Sequence, residues 1–432
     1  MKKTVCELFA GVGGFRCGLN AIKTLDDIKK PEKWDTVWFS QWEPAEKTTQ
    51  YAHDCYVYHF GTCLDKNGED TTNWNIEEVD KNTLPDFNLL VGGFSCQDYS
   101  VASSLATSKG LEGKKGILWW SIRETLEAKK PPFVLLENVD RLIKSPAKQR
   151  GRDFGIILAC FRDEGYTVEW RVINAADYGF QQRRRRTFIF AYKNDTAYAK
   201  HLKEHVKYAG LNDIEDNRQS MADWIYEDGF FAKSFPVDEF DSKKIQVKKL
   251  PIGLGDLSEQ FKFGFENSGV MVDGTIITIK TAPNYEGTQI TLGDIVETGD
   301  VEEKYFIPDE RLYYTNPNVT HSDESHERLP KEDRQTWQYL KGAKKLPRKA
   351  ANGHEYIFSE GAISIIDSYY KPARTMLTSE GSFSRTTHIV KDKKKGRIRL
   401  LTPMEAERIQ GFPTDYTKYC LDRKSTRLNS SH

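Results

Sequence analysis

Roughly the first 190 residues alternate short apolar runs with stretches of helical spacing, and this alternation leaves few folds open. Thr4–Phe9, Thr36–Ser40, Asn88–Val91, Phe133–Leu136, Val168–Ile173 and Thr187–Ala191 read as strands. Phe15–Ile22, Leu118–Lys129 and Phe154–Glu164 repeat their apolar residues at helical intervals. Strands alternating with helices predict βαβ units and an α/β, mostly parallel sheet with helices on both faces. In such sheets ligands bind at the carboxyl ends of the strands, so chemistry is sought just after each apolar run.

Charge and cysteine usage narrow the classes further. Lys plus Arg and Asp plus Glu are 63 each, so a polyanionic partner would require a local basic surface. Seven cysteines (Cys6, Cys17, Cys55, Cys63, Cys96, Cys160 and Cys420) are odd in number and never spaced as CxxC. This argues against a disulfide framework or a metal site and for a reducing, cytoplasmic setting. No apolar run approaches the ~18 residues of a membrane span, and the N-terminus turns acidic too early for a signal peptide.

Polar residues cluster after the strands. Phe9-Ala10-Gly11-Val12-Gly13-Gly14 joins the first strand to a helix, as a loop that lets backbone approach a ligand does. Arg16 breaks the GxGxxG pattern, so a dinucleotide site and the oxidoreductases that use one are disfavoured. Glu43 follows the second strand, where an acid can accept from ribose hydroxyls. Gly92-Gly93-Phe94-Ser95-Cys96-Gln97-Asp98-Tyr99-Ser100 sets a cysteine in a polar turn, which favours a nucleophile over a core thiol. Glu137-Asn138-Val139 follows a buried strand, where an ionised acid is costly without a partner or a task. In Gln182-Arg183-Arg184-Arg185-Arg186, alternation on an extended segment puts Arg184 and Arg186 on one face.

The ordered set formed by Phe9–Gly14, Gly92–Ser100, Glu137–Val139, Gln182–Arg186 and Arg399–Pro413 resembles the DNA cytosine-5 methyltransferase family. The resemblance implies a Rossmann-like S-adenosylmethionine-dependent methyltransferase fold with a smaller β-rich target-recognition domain. It implies double-stranded DNA as substrate, a flipped cytosine, and a monomeric enzyme partnered in the cell by a separate restriction endonuclease. By similarity Cys96 attacks ring carbon 6, Glu137 holds the ring nitrogen and amino group, and Arg184 and Arg186 hold the carbonyl oxygen. Phe9, Gly11, Gly13, Gly14, Glu43, Asn75, Ile76 and Leu118 fall where the family contacts S-adenosylmethionine. No metal is implied. Gln97, Ser100, Arg374, Thr378, Ser379 and Arg385 are the candidate DNA contacts, the last four within the segment Lys371–Arg385.

The same resemblance divides the chain into a catalytic and cofactor domain (1–193), a recognition domain (194–395), a return segment (396–422) and a non-native tail (423–432). Within the recognition domain, Gly274–Ile279 and Ala362–Ile366 read as strands, and the basic run Lys391–Arg397 reads as a phosphate contact. Ser95 and Gln181 stand where the family usually has proline, Asn75 where many members have aspartate, and nothing after Tyr416 matches the usual closing motif. Two alternatives share the fold: a cytosine-5 methyltransferase acting on tRNA, and a DNA-binding relative without catalysis.

Overall fold

The computed structural model describes residues 3–44, 49–94, 118–205, 214–315, 329–349 and 353–419. Its centre is a nine-stranded sheet, in the order β2-β1-β3-β4-β6-β5-β8-β9-β7. The strands are β1 (Thr4–Leu8), β2 (Asp35–Phe39), β3 (Leu89–Gly93), β4 (Phe133–Val139), β5 (Tyr166–Asn174), β6 (Arg185–Lys193), β7 (Gln246–Lys249), β8 (Ser268–Val272) and β9 (Thr275–Ile279). Neighbours from β2 to β4 are parallel, and every pair beyond β4 is antiparallel. The sheet is therefore mixed, and the parallel half is the one that the βαβ alternation encodes.

Strand composition explains the order. β3 is Leu-Leu-Val-Gly-Gly and wholly buried, as a central parallel strand should be. At Gly92 a Cβ would stand 2.9 Å from the Leu8 carbonyl oxygen, so glycine lets β1 and β3 close on each other. Helices Leu118–Lys129 and Arg152–Asp163 cover one face, contributing Trp119, Ile122, Phe154, Ile157 and Phe161 to the larger core. Helix Ala197–His205 and the segment around Trp224 cover the other.

The sheet does not stop at residue 194. β8 pairs with β5 in the register Val168↔Met271, and β8 turns into β9 through Asp273-Gly274, both with positive φ. Asp-Gly in that conformation matches the twist of a two-residue hairpin, and both flanking strands are fully buried. Residues 246–279 thus extend the central sheet rather than open a separate domain, because their apolar β-branched runs are completed only by the edge of β5. Beyond residue 279 the described residues hold two two-stranded sheets. These are β10 (Lys344–Lys349) with β11 (Glu355–Glu360), and β12 (Ile389–Lys391) with β13 (Ile398–Leu400). Ala362–Ile366 is not a strand, and the boundary drawn at 396 falls inside the β12–β13 hairpin.

That hairpin is locked by a buried charge cluster. Arg399 is fully buried, its Nε 2.9 Å from Asp392, its Nη1 and Nη2 each 2.8 Å from a Glu405 oxygen. Glu405 also closes the capping box of helix Pro403–Gln410 by accepting from the Thr402 amide. A buried pair whose partner is deleted leaves an uncompensated charge. Arg399→Ala is therefore expected to lower stability by about 3–5 kcal/mol, read as a lower urea midpoint; an unchanged midpoint would show that the cluster is not a structural anchor.

Candidate active site

The carboxyl ends of the parallel strands meet along one edge. Between β1 and helix Gly14–Leu19 the backbone takes positive φ at Phe9, Gly11 and Gly13, which makes the sharp turn of the glycine loop. The loop is fixed from β2: the Phe9 amide donates to Ser40 Oγ, the Ala10 amide to the Ser40 carbonyl, and the Gly11 amide to Gln41 Oε1 at 2.7 Å. Gln41 in turn donates its amide to the Thr72 carbonyl, so Asn75 and Ile76 are held near the same edge. Glu43 is buried just after β2. Phe9, Ile76 and Leu118 share one hydrophobic cluster. Of the residues expected at a cofactor pocket, Phe9, Gly11, Gly13, Gly14 and Glu43 follow β1 and β2, Ile76 lies in that cluster, and Phe9 and Leu118 pack against it.

Beneath the loop lies a carboxylate that the strand pattern did not single out. Glu7 accepts from the Tyr56 hydroxyl at 3.1 Å and lies close to the Phe15 and Arg16 amides at the start of the following helix. Complete burial pushes its carboxyl up to about 7, opposed by those groups and by the Arg16 guanidinium, which is itself held by Glu32 at 2.6 Å. From the far end of the chain, the Tyr416 hydroxyl donates to the Val12 carbonyl at 2.6 Å, and its ring stacks on His59. The return segment therefore backs the glycine loop.

Two and three strand spacings along from β1, β4 and β6 bring Glu137, Arg184 and Arg186 together. Their antiparallel register sets Val139 opposite Arg186 and Glu137 opposite Phe188, which puts Glu137 and Arg186 on one face. Arg186 Nε is 2.6 Å from Glu137 Oε1, with both side chains nearly buried. Burial raises the Glu137 carboxyl above its usual range, opposed by Arg186 and then Arg184. Burial, with Arg186 alongside, lowers the Arg184 guanidinium to about 10. Arg184 and Arg186 both act electrostatically on Glu137. Asn138 points the other way, is fully buried, and donates Nδ2 to the Phe94 carbonyl at 2.8 Å. It ties β4 to the last described residue before segment 95–117.

Cys96, Gln97 and Ser100 lie outside the described residues. Among the described cysteines, burial pushes Cys17 up to about 12, Cys63 and Cys160 to about 11, and Cys6 well above its usual value. These four are core thiols with no thiolate at neutral pH.

A model of the C-5 cytosine-specific DNA methylase family matches residues 3–428. The chain belongs to that family. This methylase is 43% identical over 418 residues to the Type II methyltransferase M.Sau3AI of Staphylococcus aureus, covering 96% of this chain and 89% of the relative. Over 224 residues it is 32% identical to M.NgoBI of Neisseria gonorrhoeae, covering 51% of this chain and 60% of that protein. The crystal structure of Schizosaccharomyces pombe Dnmt2 superposes with a TM-score of 0.49 at 13% identity, covering 100% of this chain and 94% of that one; the fold assignment rests on the family match.

Two of the candidate nucleic-acid contacts are engaged within the chain. Arg374 does not project outward: Nε and Nη2 fork onto Asp367 at 2.6 and 3.0 Å, while Nη1 and Nη2 reach the Thr386 and Thr387 carbonyls. Arg385 donates to the Gly342 carbonyl at 2.9 Å and pairs with Glu360 at 3.2 Å. A loop without regular structure must satisfy its carbonyls somehow, and these guanidinium forks do so from within. Thr378 is exposed at the turn, and Ser379 is half-buried against Thr386. The run Lys391–Arg397 is likewise internal bracing: Lys394 pairs with Asp300, Lys395 and Arg397 with Glu303, and Lys393 with the Gly293 and Val296 carbonyls.

Glu7 sets a pH dependence. An unfolded Glu titrates near 4.3, roughly, and the folded one near 7. The folded state holds the extra proton between those values, so its contribution is full below the lower one and is lost as pH rises towards 7. The loss is about 3 kcal/mol. Urea unfolding from pH 4.5 to 7.5 should show this decline in the native chain and a flatter profile in Glu7→Gln; parallel profiles would remove Glu7 as its source.

Proposed function

We propose that this chain methylates carbon 5 of a cytosine within one short duplex sequence, as the modification partner of a restriction endonuclease. The observation that carries the reading is the buried Glu137–Arg186 pair, flanked by Arg184, at the strand ends beside the segment bearing Cys96. Type II methyltransferases among the relatives support the restriction–modification setting.

The chemistry follows from what each group can do. A cytosine ring carbon is unreachable in the stack, so the base is flipped out at a cost of a few kcal/mol. Cys96 attacks carbon 6 as a thiolate, and negative charge develops on the ring. Glu137, with its carboxyl raised by burial, is suited to keep or share a proton at the ring nitrogen and to accept from the amino group. Arg186 and Arg184 donate to the ring carbonyl oxygen and hold Glu137 in place. Asn138 fixes where the nucleophile's segment leaves β3.

The residues at the glycine loop fit S-adenosylmethionine. The positive-φ turn at Phe9, Gly11 and Gly13 opens backbone to a ligand, Glu43 suits ribose hydroxyls, and the Ile76–Leu118 border suits an adenine ring. Bound there, the cofactor supplies the methyl group. Recognition of sequence is assigned to residues 280–395, where the exposed Thr378, with Ser379 beside it, turns towards solvent. A transfer-RNA substrate is disfavoured, because a reader of that size suits a major groove.

Bisulfite sequencing of plasmid DNA from cells expressing the chain tests this directly. Protected cytosines confined to one short recurring motif are expected, and their absence would argue against the activity. Cys96→Ala is expected to abolish protection while the purified protein still shifts duplex DNA in a gel; unchanged protection would remove Cys96 as nucleophile. Glu137→Gln is expected to lower the single-turnover rate by roughly 100- to 10,000-fold. A rate within threefold of the native one would leave Glu137 without an acid role.

A further inference from the structure

The segment that follows Glu137-Asn138-Val139 carries a cluster of exposed cations that pair with nothing among the described residues. Residues 140–150 contain one acid, Asp140, and four cations, Arg141, Lys144, Lys148 and Arg150. All four are exposed, and none forms an ion pair or a side-chain hydrogen bond among the described residues. The contrast with Lys391–Arg397 is direct, since there Lys394, Lys395 and Arg397 are matched by acids roughly ninety residues upstream.

The segment is also firmly built. Leu142 and Ile143 are buried in the main core. Ser145 Oγ donates to Asp153 at 2.7 Å, and the Asp153 amide returns to the Ser145 carbonyl. Gln149 donates to the Phe261 carbonyl, and the Arg150 carbonyl accepts from the Phe263 amide. A pinned backbone presents its cations at little ordering cost on binding.

Lys144 and Arg150 line a cleft of about 490 Å³ together with Arg185, from the start of β6, and Lys280, just past β9. Arg185 and Lys280 are likewise exposed and unpaired among the described residues. The cleft's acids are Asp140, Asp177 and Glu266, of which Asp177 accepts from Asn174. The ends of β4, β6, β5, β8 and β9 follow one another here along the sheet edge that carries Glu137 and Arg186. From β6 to β9 is three strand spacings, or about 14 Å, long enough to follow two or three successive phosphates of one strand.

We propose that Arg141, Lys144, Lys148 and Arg150, with Arg185 and Lys280, form a phosphate-binding track that grips the DNA backbone flanking the target base. The proposal rests on the DNA substrate stated above. The track adds a sequence-independent hold beside the Glu137–Arg186 pair, supplied by three separate stretches of chain that only folding brings to one sheet edge.

The test compares the native protein with a Lys144→Ala/Arg150→Ala/Lys280→Ala variant, using fluorescence anisotropy on a duplex across a salt series. Each lost phosphate contact removes roughly 0.9 from the slope of log affinity against log salt. The triple variant should therefore lose about 2 to 3 from that slope. A second variant, Lys394→Ala/Lys395→Ala, should leave the slope unchanged. A native melting temperature shows that each variant is folded; for a triple variant that does not fold, Lys280→Ala alone should still lower the slope by about 1. Duplex binding by the native protein with an unchanged slope in the folded triple variant, or in Lys280→Ala where that stands in for it, would overturn the track and leave the methyltransferase reading intact. Native protein that binds no duplex would overturn both.

Discussion

The register of β6 against β4 is the constraint on which the site depends. These strands are antiparallel neighbours inside a sheet whose other half is parallel, and Val139 faces Arg186 across them. A slip of one residue would send Arg184 and Arg186 to the opposite face and bury their charges among the apolar side chains there. Correct pairing instead neutralises Glu137 with Arg186 at 2.6 Å. The pair that reads as catalytic machinery thus also penalises the wrong register, and sheet assembly and site assembly are one event.

Buried charge recurs wherever the chain joins distant parts. Glu7 under the glycine loop is held by the Tyr56 hydroxyl beside two helix amides, and Arg399 in the return hairpin by Asp392 and Glu405. Glu407 in the same helix accepts from the Thr417 amide and hydroxyl, shaping the turn that delivers Tyr416. Each such group is costly alone and tolerable only with every partner present. The junctions between the sheet and the chain that follows it are consequently specific as well as stable.

The sequence displays the parallel half well because each strand there is an apolar run closed by glycines or polar residues, with amphipathic helices between. Glu137, Arg184 and Arg186 were legible for the same reason, as charges directly beside buried strands. The antiparallel extension was not, since β7 to β9 lack intervening helices and Thr275–Ile279 has no visible partner until β5 is placed beside it. The sequence does not show which partners the later arginines and lysines take within the chain. Arg374 and Arg385 look like reading heads until Asp367, Gly342 and Glu360 are found beside them. Lys391–Arg397 looks like a phosphate patch until Asp300 and Glu303 appear. Glu7 carried a weak signal, an acid inside an otherwise apolar strand.

The bond from the Tyr416 hydroxyl to the Val12 carbonyl spans 404 residues of chain. During synthesis at 5–20 residues per second, the loop waits roughly 20 to 80 s for the tyrosine that backs it. β1, β2 and β3 can pair meanwhile, because their contacts are nearer in sequence. A nascent chain therefore carries β1, β2 and β3 long before its glycine loop is braced, and the emergence of Tyr416 times that bracing.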